Sequence, residues 1–272
     1  MATLTFSQAE FQRIGAIMYD AVGLSYSDSK KSLVQSRLAP RIQRLGLDSF
    51  ASYIALLEDE QEAAEFQMAV DLLTTNETYF FREPRHFELL ETELAERRQK
   101  GPLRVWSAAA SFGDEAYSIA MLLADMQTAG RIGPDWSILA TDISHRVLLS
   151  AREGIYPEDR LREVTPERLH RYCLRGEGPA EGQSMVKDKL RERVQFGQLN
   201  LCRPFEGLGP FDVVFLRNVL IYFDAATKSE VVDRVLATLR PGGLFFLGTA
   251  EGRVPCKTPL QPVQPGAFRK PA

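Results

Sequence analysis

Two acids and a run of small residues are the first chemistry in this sequence. The apolar run Trp136-Ser137-Ile138-Leu139-Ala140-Thr141 ends in Asp142. A second run, Leu103-Arg104-Val105-Trp106-Ser107, leads into Ala108-Ala109-Ala110-Ser111-Phe112-Gly113, with Glu115 just beyond. If both runs are strands of an open α/β sheet, ligands bind beyond their carboxyl ends. Asp142 can then accept hydrogen bonds from ribose hydroxyls, and the small side chains let a ligand approach the backbone. The same small residues would also suit plain strand-to-helix packing, and the helix dipole alone would favour Glu115 in a first turn. The loop is not G-x-G-x-x-G, so a nucleoside cofactor such as adenosylmethionine fits better than a dinucleotide. Cys173, Cys202 and Cys256 are isolated and odd in number, and His86, His145 and His170 make no metal spacing with them. Reduced thiols and no metal are expected.

The elements that must position these residues follow from periodicity. Ser7 with Glu10 three residues on reads as a capping box opening a helix through Ile14, Ile17 and Met18. Further helices are expected from about Ser29 to Leu45 (interrupted by Pro40 and closed by Gly46), over Ser49 to Leu57, and over Glu62 to Leu73. No strand signal appears before Gly101. Beyond it, strands are expected at Leu103–Ser107, Trp136–Asp142, Val194–Phe196, Phe211–Leu216 and Gly243–Leu247, with helices between most of them. That alternation predicts a doubly wound, parallel, Rossmann-like sheet behind an all-helical N-terminal domain, divided at 1–84 and 85–272. Gly176, Gly178, Pro179 and Gly182 predict a small β-hairpin inserted at about 172–196, and the tail after Arg253 reads as extended. The formal net charge of −3 gives no general pull toward nucleic acid or an anionic membrane. The opening Met1-Ala2-Thr3-Leu4-Thr5-Phe6 has no basic or apolar leader, and no run reaches the roughly 20 apolar residues of a spanning helix. A cytoplasmic monomer is expected.

Longer strings are more specific than any of these features. Thr74-Thr75-Asn76-Glu77-Thr78-Tyr79-Phe80-Phe81-Arg82-Glu83 resembles the TTNxTxFFRE signature of the chemotaxis receptor methyltransferases, the CheR family. The stretch Arg104 to Ala120 resembles that family's RVWSAAxSTGEEPYSIA, and Phe215 to Asp224 its FCRNVMIYFD. Asn200-Leu201 is similar to its NL pair. The resemblance runs in order over nearly the whole chain. It implies a helical domain on a methyltransferase sheet, S-adenosylmethionine as cofactor and S-adenosylhomocysteine as product. It also implies methylation of glutamate side chains on the cytoplasmic helical bundle of chemoreceptors. Carried over, Asn76, Thr78 and Arg82 reach the cofactor's amino-acid end, Glu115 holds its ammonium and Asp142 its ribose. Asn200 and Leu201 frame the adenine, and Leu216, Arg217 and Asn218 lie along the fourth strand's end. Phe112 replaces a threonine of the pattern, Asp114 a glutamate and Ala116 a proline, and Thr249-Ala250-Glu251 stands for its HSE.

A glutamate carboxylate is ionised at neutral pH, so methyl transfer to it needs no general base. It needs desolvation and alignment, which arginines and a tyrosine hydroxyl supply without neutralising it. Arg82, Arg85, Arg217 and Tyr222 are the candidates, with Arg82, Arg85 and Tyr222 the expected catalytic set. The plain alternatives are a surface ion pair for Arg82, a core aromatic for Tyr222 and a turn residue for Asn76. Lys30, Arg37, Arg41 and Arg44, at spacings of seven, four and three, fall in one helical sector. That sector is a solvated face or, as the resemblance implies, a dock for the acidic receptor bundle. The resemblance also implies that the glycine-rich hairpin captures a receptor C-terminal peptide by strand addition. Two other functions fit the residues. One is a methyltransferase of a small molecule or RNA, although the composition lacks the basic bias of an RNA binder. The other is a cofactor-binding scaffold with little turnover, for which bulk at Phe112 is the hint.

Overall fold

The computed structural model of the chain describes residues 4–97, 101–252 and 254–272. Met1, Ala2 and Thr3, read above for a leader, lie outside the described residues.

Two of the N-terminal helices open on serine caps. α1 (Gln8–Val22) opens on Ser7, whose Oγ accepts from the Glu10 N–H at 3.2 Å while Glu10 accepts from the Ser7 N–H at 2.7 Å. α2 (Lys31–Arg44) runs through Pro40, because Val34, Leu38 and Ile42 bury one face on both sides of it. α3 (Phe50–Leu57) is capped by Ser49, and α4 (Ala63–Leu73) completes the bundle. Phe11, Ile14, Met18, Leu38, Phe50, Tyr53 and Val70 form its core. α5 (Pro84–Glu96), not expected from the sequence, begins with proline at its first position, where no N–H is needed. It buries Phe87, Leu90 and Leu94 against the sheet domain.

All five expected strands form, in one parallel sheet. β1 (Leu103–Ser107), β2 (Trp136–Asp142), β6 (Val194–Gln198), β7 (Phe211–Leu216) and β8 (Leu239–Leu247) lie in the order β6-β2-β1-β7-β8. The order grows outward from β1 in one direction and from β7 in the other, so the crevice between these neighbours is the switch point. α6 (Asp114–Thr128) and α7 (His145–Glu153) follow β1 and β2, and α10 (Ala225–Ala237) precedes β8. Aromatic packing fixes the centre, with Phe215 of β7 stacked on Phe246 of β8 at 4.4 Å.

The extended tail supplies two further strands, β9 (Gln261–Gln264) and β10 (Ala267–Arg269), antiparallel on the β8 edge. Pro262 sits in the outermost strand, where a missing donor breaks no interior ladder. The insertion is also larger than a hairpin. β4 (Cys173–Arg175) and β5 (Gln183–Val186) pair as expected, but β3 (Ile155–Pro157) joins them in the order β3-β5-β4. α8 (Pro166–Tyr172) lies between β3 and β4, and α9 (Asp188–Arg191) leads back to the main sheet. The inserted sheet therefore starts at Ile155 rather than near Tyr172. The inserted sheet ends at Val186, and Phe196 lies in β6, the strand expected over Val194–Phe196.

Candidate active site

A cavity opens at the switch point. Its walls come from the linker after α4 (Asn76, Thr78, Arg82), the loop after β1 (Ala108, Ser111), Glu115 of α6, and Asp142 at the end of β2. The loops after β6 and β7 close it with Asn200, Leu201, Arg217, Asn218 and Tyr222. Ten of the twelve residues expected in cofactor binding or catalysis thus line one space. The other two do not. Arg85 is exposed on the first turn of α5, and among the described residues only its carbonyl is engaged, accepting from Gln264 Nε2 at 3.0 Å. Glu83 adopts φ +60 just before the helix, so Arg82 faces the cavity and Arg85 faces solvent. Leu216 is fully buried in the core beneath the sheet.

The two acids are held differently. Asp142, 7% exposed, accepts from the Ser111 N–H at 2.8 Å through Oδ2 and from the Ser144 N–H at 2.9 Å through Oδ1. Burial pushes its carboxyl above the ordinary range, and those N–H groups pull it back. Each oxygen keeps accepting capacity for a hydroxyl. Glu115 accepts from Ser107 Oγ at 2.7 Å and from Arg217 Nη1 at 3.0 Å. Burial raises it and Arg217 lowers it. Arg217 is itself buried, with Nη2 on the Arg82 carbonyl and 3.4 Å from Glu83, and its Nε has no partner among the described residues.

The linker side chains are tied locally. Arg82 donates to the Glu77 carbonyl at 3.0 Å. The Asn76 side-chain amide donates to Thr74 Oγ1, and the Asn76 backbone carbonyl accepts from Ser111 Oγ. The Tyr222 hydroxyl meets the Thr75 carbonyl at 3.4 Å, and burial raises its pKa, so it stays a donor at neutral pH. Asn200 spends its amide on the Ala21 carbonyl and its oxygen on the Cys202 N–H. Phe112 does not line the cavity. Its ring lies 4.6 Å from the Arg160 guanidinium and packs on the core, which removes the one hint of a blocked pocket.

Glu83 and Glu251 were not expected here. Glu251 accepts from the backbone N–H groups of Asn218, Leu220 and Gly248 at 2.9, 2.7 and 2.7 Å. Glu83 accepts from the Thr249 N–H and the Asn218 amide. Together they hold the loop after β7 around Asn218, at φ +59. Phe81, Glu83 and Ser111 share that left-handed conformation, so strain clusters at this site. No periodicity marks either acid. The only sequence signal was Glu83 closing the TTN string and Glu251 standing where the pattern has HSE.

The basic sector divides. Lys30 and Arg44 are exposed. Arg37 turns inward and donates to the carbonyls of Leu73 and Thr74 and to Thr75 Oγ1. Arg41 pairs with the buried Glu65, which also accepts from the Tyr53 hydroxyl.

Acceptors for hydroxyls, an anion for an ammonium, and an apolar wall of Leu199, Leu201, Val219 and Phe223 suit a nucleoside that carries an amino acid. Comparison with known proteins gives the same answer. Residues 9–74 match the family described as "CheR methyltransferase, all-alpha domain", and residues 76–264 match "CheR methyltransferase, SAM binding domain". The chain belongs to the CheR methyltransferase family. It is 45% identical to the chemotaxis protein methyltransferase of Escherichia coli K12, over 91% of this chain and 86% of that one. Chemotaxis protein methyltransferase 2 of Pseudomonas aeruginosa is 43% identical, over 92% of this chain and 88% of its own. The cofactor of this CheR-family chain is S-adenosylmethionine. Among the described residues, no helix is long and apolar enough to cross a membrane.

Proposed function

We propose that this protein methylates glutamate side chains on the cytoplasmic helical bundle of chemoreceptors, forming methyl esters in sensory adaptation. The observation that carries the reading is that Arg82 and Tyr222 line one cavity with Asp142 and Glu115. S-adenosylmethionine, when bound, supplies an electrophilic methyl group carried on a sulfonium. Asp142 would hold its ribose hydroxyls and Glu115 its ammonium. Asn76, Thr78, Asn200, Leu201, Arg217 and Asn218 would shape the rest of the pocket.

The chain's own residues then have one task, to present a dehydrated carboxylate. A glutamate with a pKa of about 4.3 arrives ionised, so no base is required. The two buried acids of the cavity, Asp142 and Glu115, are already engaged in hydrogen bonds. Arg82 and the Tyr222 hydroxyl can orient the carboxylate by charge-assisted hydrogen bonds. Arg217, already shared between Glu115 and Glu83, is better suited to holding the cofactor side. Lys30 and Arg44 offer exposed charge to an acidic bundle. The open edge strands β3 and β4 offer backbone to a receptor C-terminal peptide, which would raise local substrate concentration. A cytoplasmic location follows from the receptor surface involved.

The test is incubation with receptor cytoplasmic fragments and S-adenosylmethionine, with glutamate methyl esters mapped by mass spectrometry. Base-labile esters on receptor glutamates are expected, and their yield should fall when the receptor tail is deleted. Tight binding of S-adenosylhomocysteine with no ester on any receptor of the same cell would sink the substrate assignment. Unchanged ester yield without the tail would sink the tether.

A further inference from the structure

One side chain of the inserted sheet reaches two walls of the cofactor cavity at once. Arg160 lies in the turn Glu158–Leu161 that follows β3. Its Nη2 is 3.1 Å from Asp114 Oδ2 and donates to the Thr78 carbonyl at 3.3 Å. Its own carbonyl accepts from the Phe80 N–H at 3.3 Å. Its guanidinium packs 4.6 Å from the Phe112 ring centre. Arg160, Asp114 and Phe112 are all outside the cavity, yet Thr78, Tyr79, Ser111 and Glu115, their neighbours in sequence or partners in contact, line it.

We propose that Arg160 is a positioning residue for methyl transfer, clamping the linker at Thr78 to the first turn of α6 at Asp114 and so fixing the cofactor cavity from the inserted sheet. The proposal rests on the cavity being the S-adenosylmethionine site. Asp114 has no exposed surface, and neither of its oxygens has a well-aligned donor among the described residues. The Arg160 charge is therefore its main compensation, and an uncompensated buried carboxylate is costly. Phe112 and Asp114 are two of the positions where this chain departs from the family pattern, and both departures meet at Arg160. The ring gives the guanidinium a face to pack on, and the acid gives it a buried anion.

The groups facing Asp114 are Arg160, Tyr156 of β3, and beyond them Tyr117 of α6 and Cys173 of β4. Burial raises Asp114 to about 6 against the pull of Arg160. Tyr117 and Cys173 are pushed up to about 12 and about 11, and Tyr156 above its usual range. Near neutrality Asp114 is the group of this set that titrates. Without Arg160 its pKa rises further.

The test is calorimetric titration with S-adenosylhomocysteine from pH 6.5 to 8.5, on the full chain and three variants. Wild type is expected to bind with nearly constant affinity above pH 7. Arg160→Ala should bind about tenfold or more weakly at pH 8 and recover toward pH 6.5, as Asp114 takes up a proton. Arg160→Lys, which keeps the charge but loses the planar fork, should fall between. Adding Asp114→Asn to Arg160→Ala should restore most of the affinity and remove the pH dependence. Affinity of Arg160→Ala within twofold of wild type at every pH would overturn the proposal. So would a loss that is the same at every pH and is not rescued by Asp114→Asn, since that is merely structural damage. Absence of binding by wild type would overturn the cofactor assignment itself, and the proposal with it.

Discussion

At the residue scale the site separates holding groups from presenting groups. Asp142 has two backbone donors and spare lone pairs, so its contribution to ligand binding is a charge-assisted hydrogen bond, on the order of 1.5–3 kcal/mol. Asp142→Ala should weaken S-adenosylhomocysteine binding roughly tenfold to 150-fold by calorimetry. Asp142→Asn retains one acceptor for the loop and controls for its collapse. Affinity near wild type in both variants would remove Asp142 from the site. Tyr222 belongs to the presenting groups; a phenol is protonated at neutral pH, and burial raises this one further. Tyr222→Phe should leave cofactor affinity within about twofold and cut kcat on receptor fragments about tenfold, the size of one lost hydrogen bond. An unchanged kcat would return Tyr222 to the status of a core aromatic. Asp142 and Glu115 were legible because an acid at a strand end or helix start is a local feature. Arg85 was misplaced because its direction depends on the left-handed turn at Glu83, which no residue pattern reveals.

At the scale of elements, caps and periodicities carried the reading, and brevity defeated it. Ser7 and the five parallel strands announce themselves. β3 has three residues and ends in proline, and β9 contains one, too little for an alternation of period two to register. α5 was obscured by the string that precedes it, read for its chemistry rather than its shape. The basic face of α2 makes the same point in energetic terms. A helical wheel puts Lys30, Arg37, Arg41 and Arg44 in one sector, but packing against α4 and the linker claims the middle two. Reversing Lys30 and Arg44 to glutamate should therefore reduce receptor methylation at low salt, less so as salt rises, while cofactor binding stays intact. Arg37→Glu should instead weaken cofactor binding about tenfold, since its guanidinium holds the linker with charge-assisted hydrogen bonds of about 1.5–3 kcal/mol each. Arg41→Glu should cost about 3–5 kcal/mol of stability by stranding buried Glu65. Chemical denaturation and calorimetry separate the three outcomes. A salt-independent loss in the Lys30 and Arg44 variant would refute docking by charge.

At the scale of the whole molecule, the helical bundle and the sheet domain meet at the end of α1, and the cavity is built across that seam. The last carbonyls of a helix lack partners within it. Here the carbonyls of Asp20, Ala21 and Val22 accept from Arg203, Asn200 and Cys202 of the loop after β6. The Ser25 N–H donates to the Tyr222 carbonyl, and Tyr19 donates to Asp224. Four of the seam residues, Val22, Asn200, Cys202 and Tyr222, also line the cavity, so docking of the bundle and shaping of the pocket are one event. At Gly23 the two halves approach closely. It takes φ +74 to end α1, and a Cβ there would stand 2.5 Å from Cys202 Sγ. Gly23→Ala should therefore cost about 1 kcal/mol for the left-handed backbone and a further 1–3 kcal/mol, roughly, for overpacking. Part of that cost should surface as weaker cofactor binding, because Leu201 and Cys202 must shift to relieve the clash. Cys202→Ala, which removes the clashing sulfur, should recover affinity in the Gly23→Ala background but leave the backbone cost in the melting temperature. Equal affinity and melting temperature in wild type and Gly23→Ala would mean that the seam gives way freely, and that the bundle's position does not set the shape of the pocket.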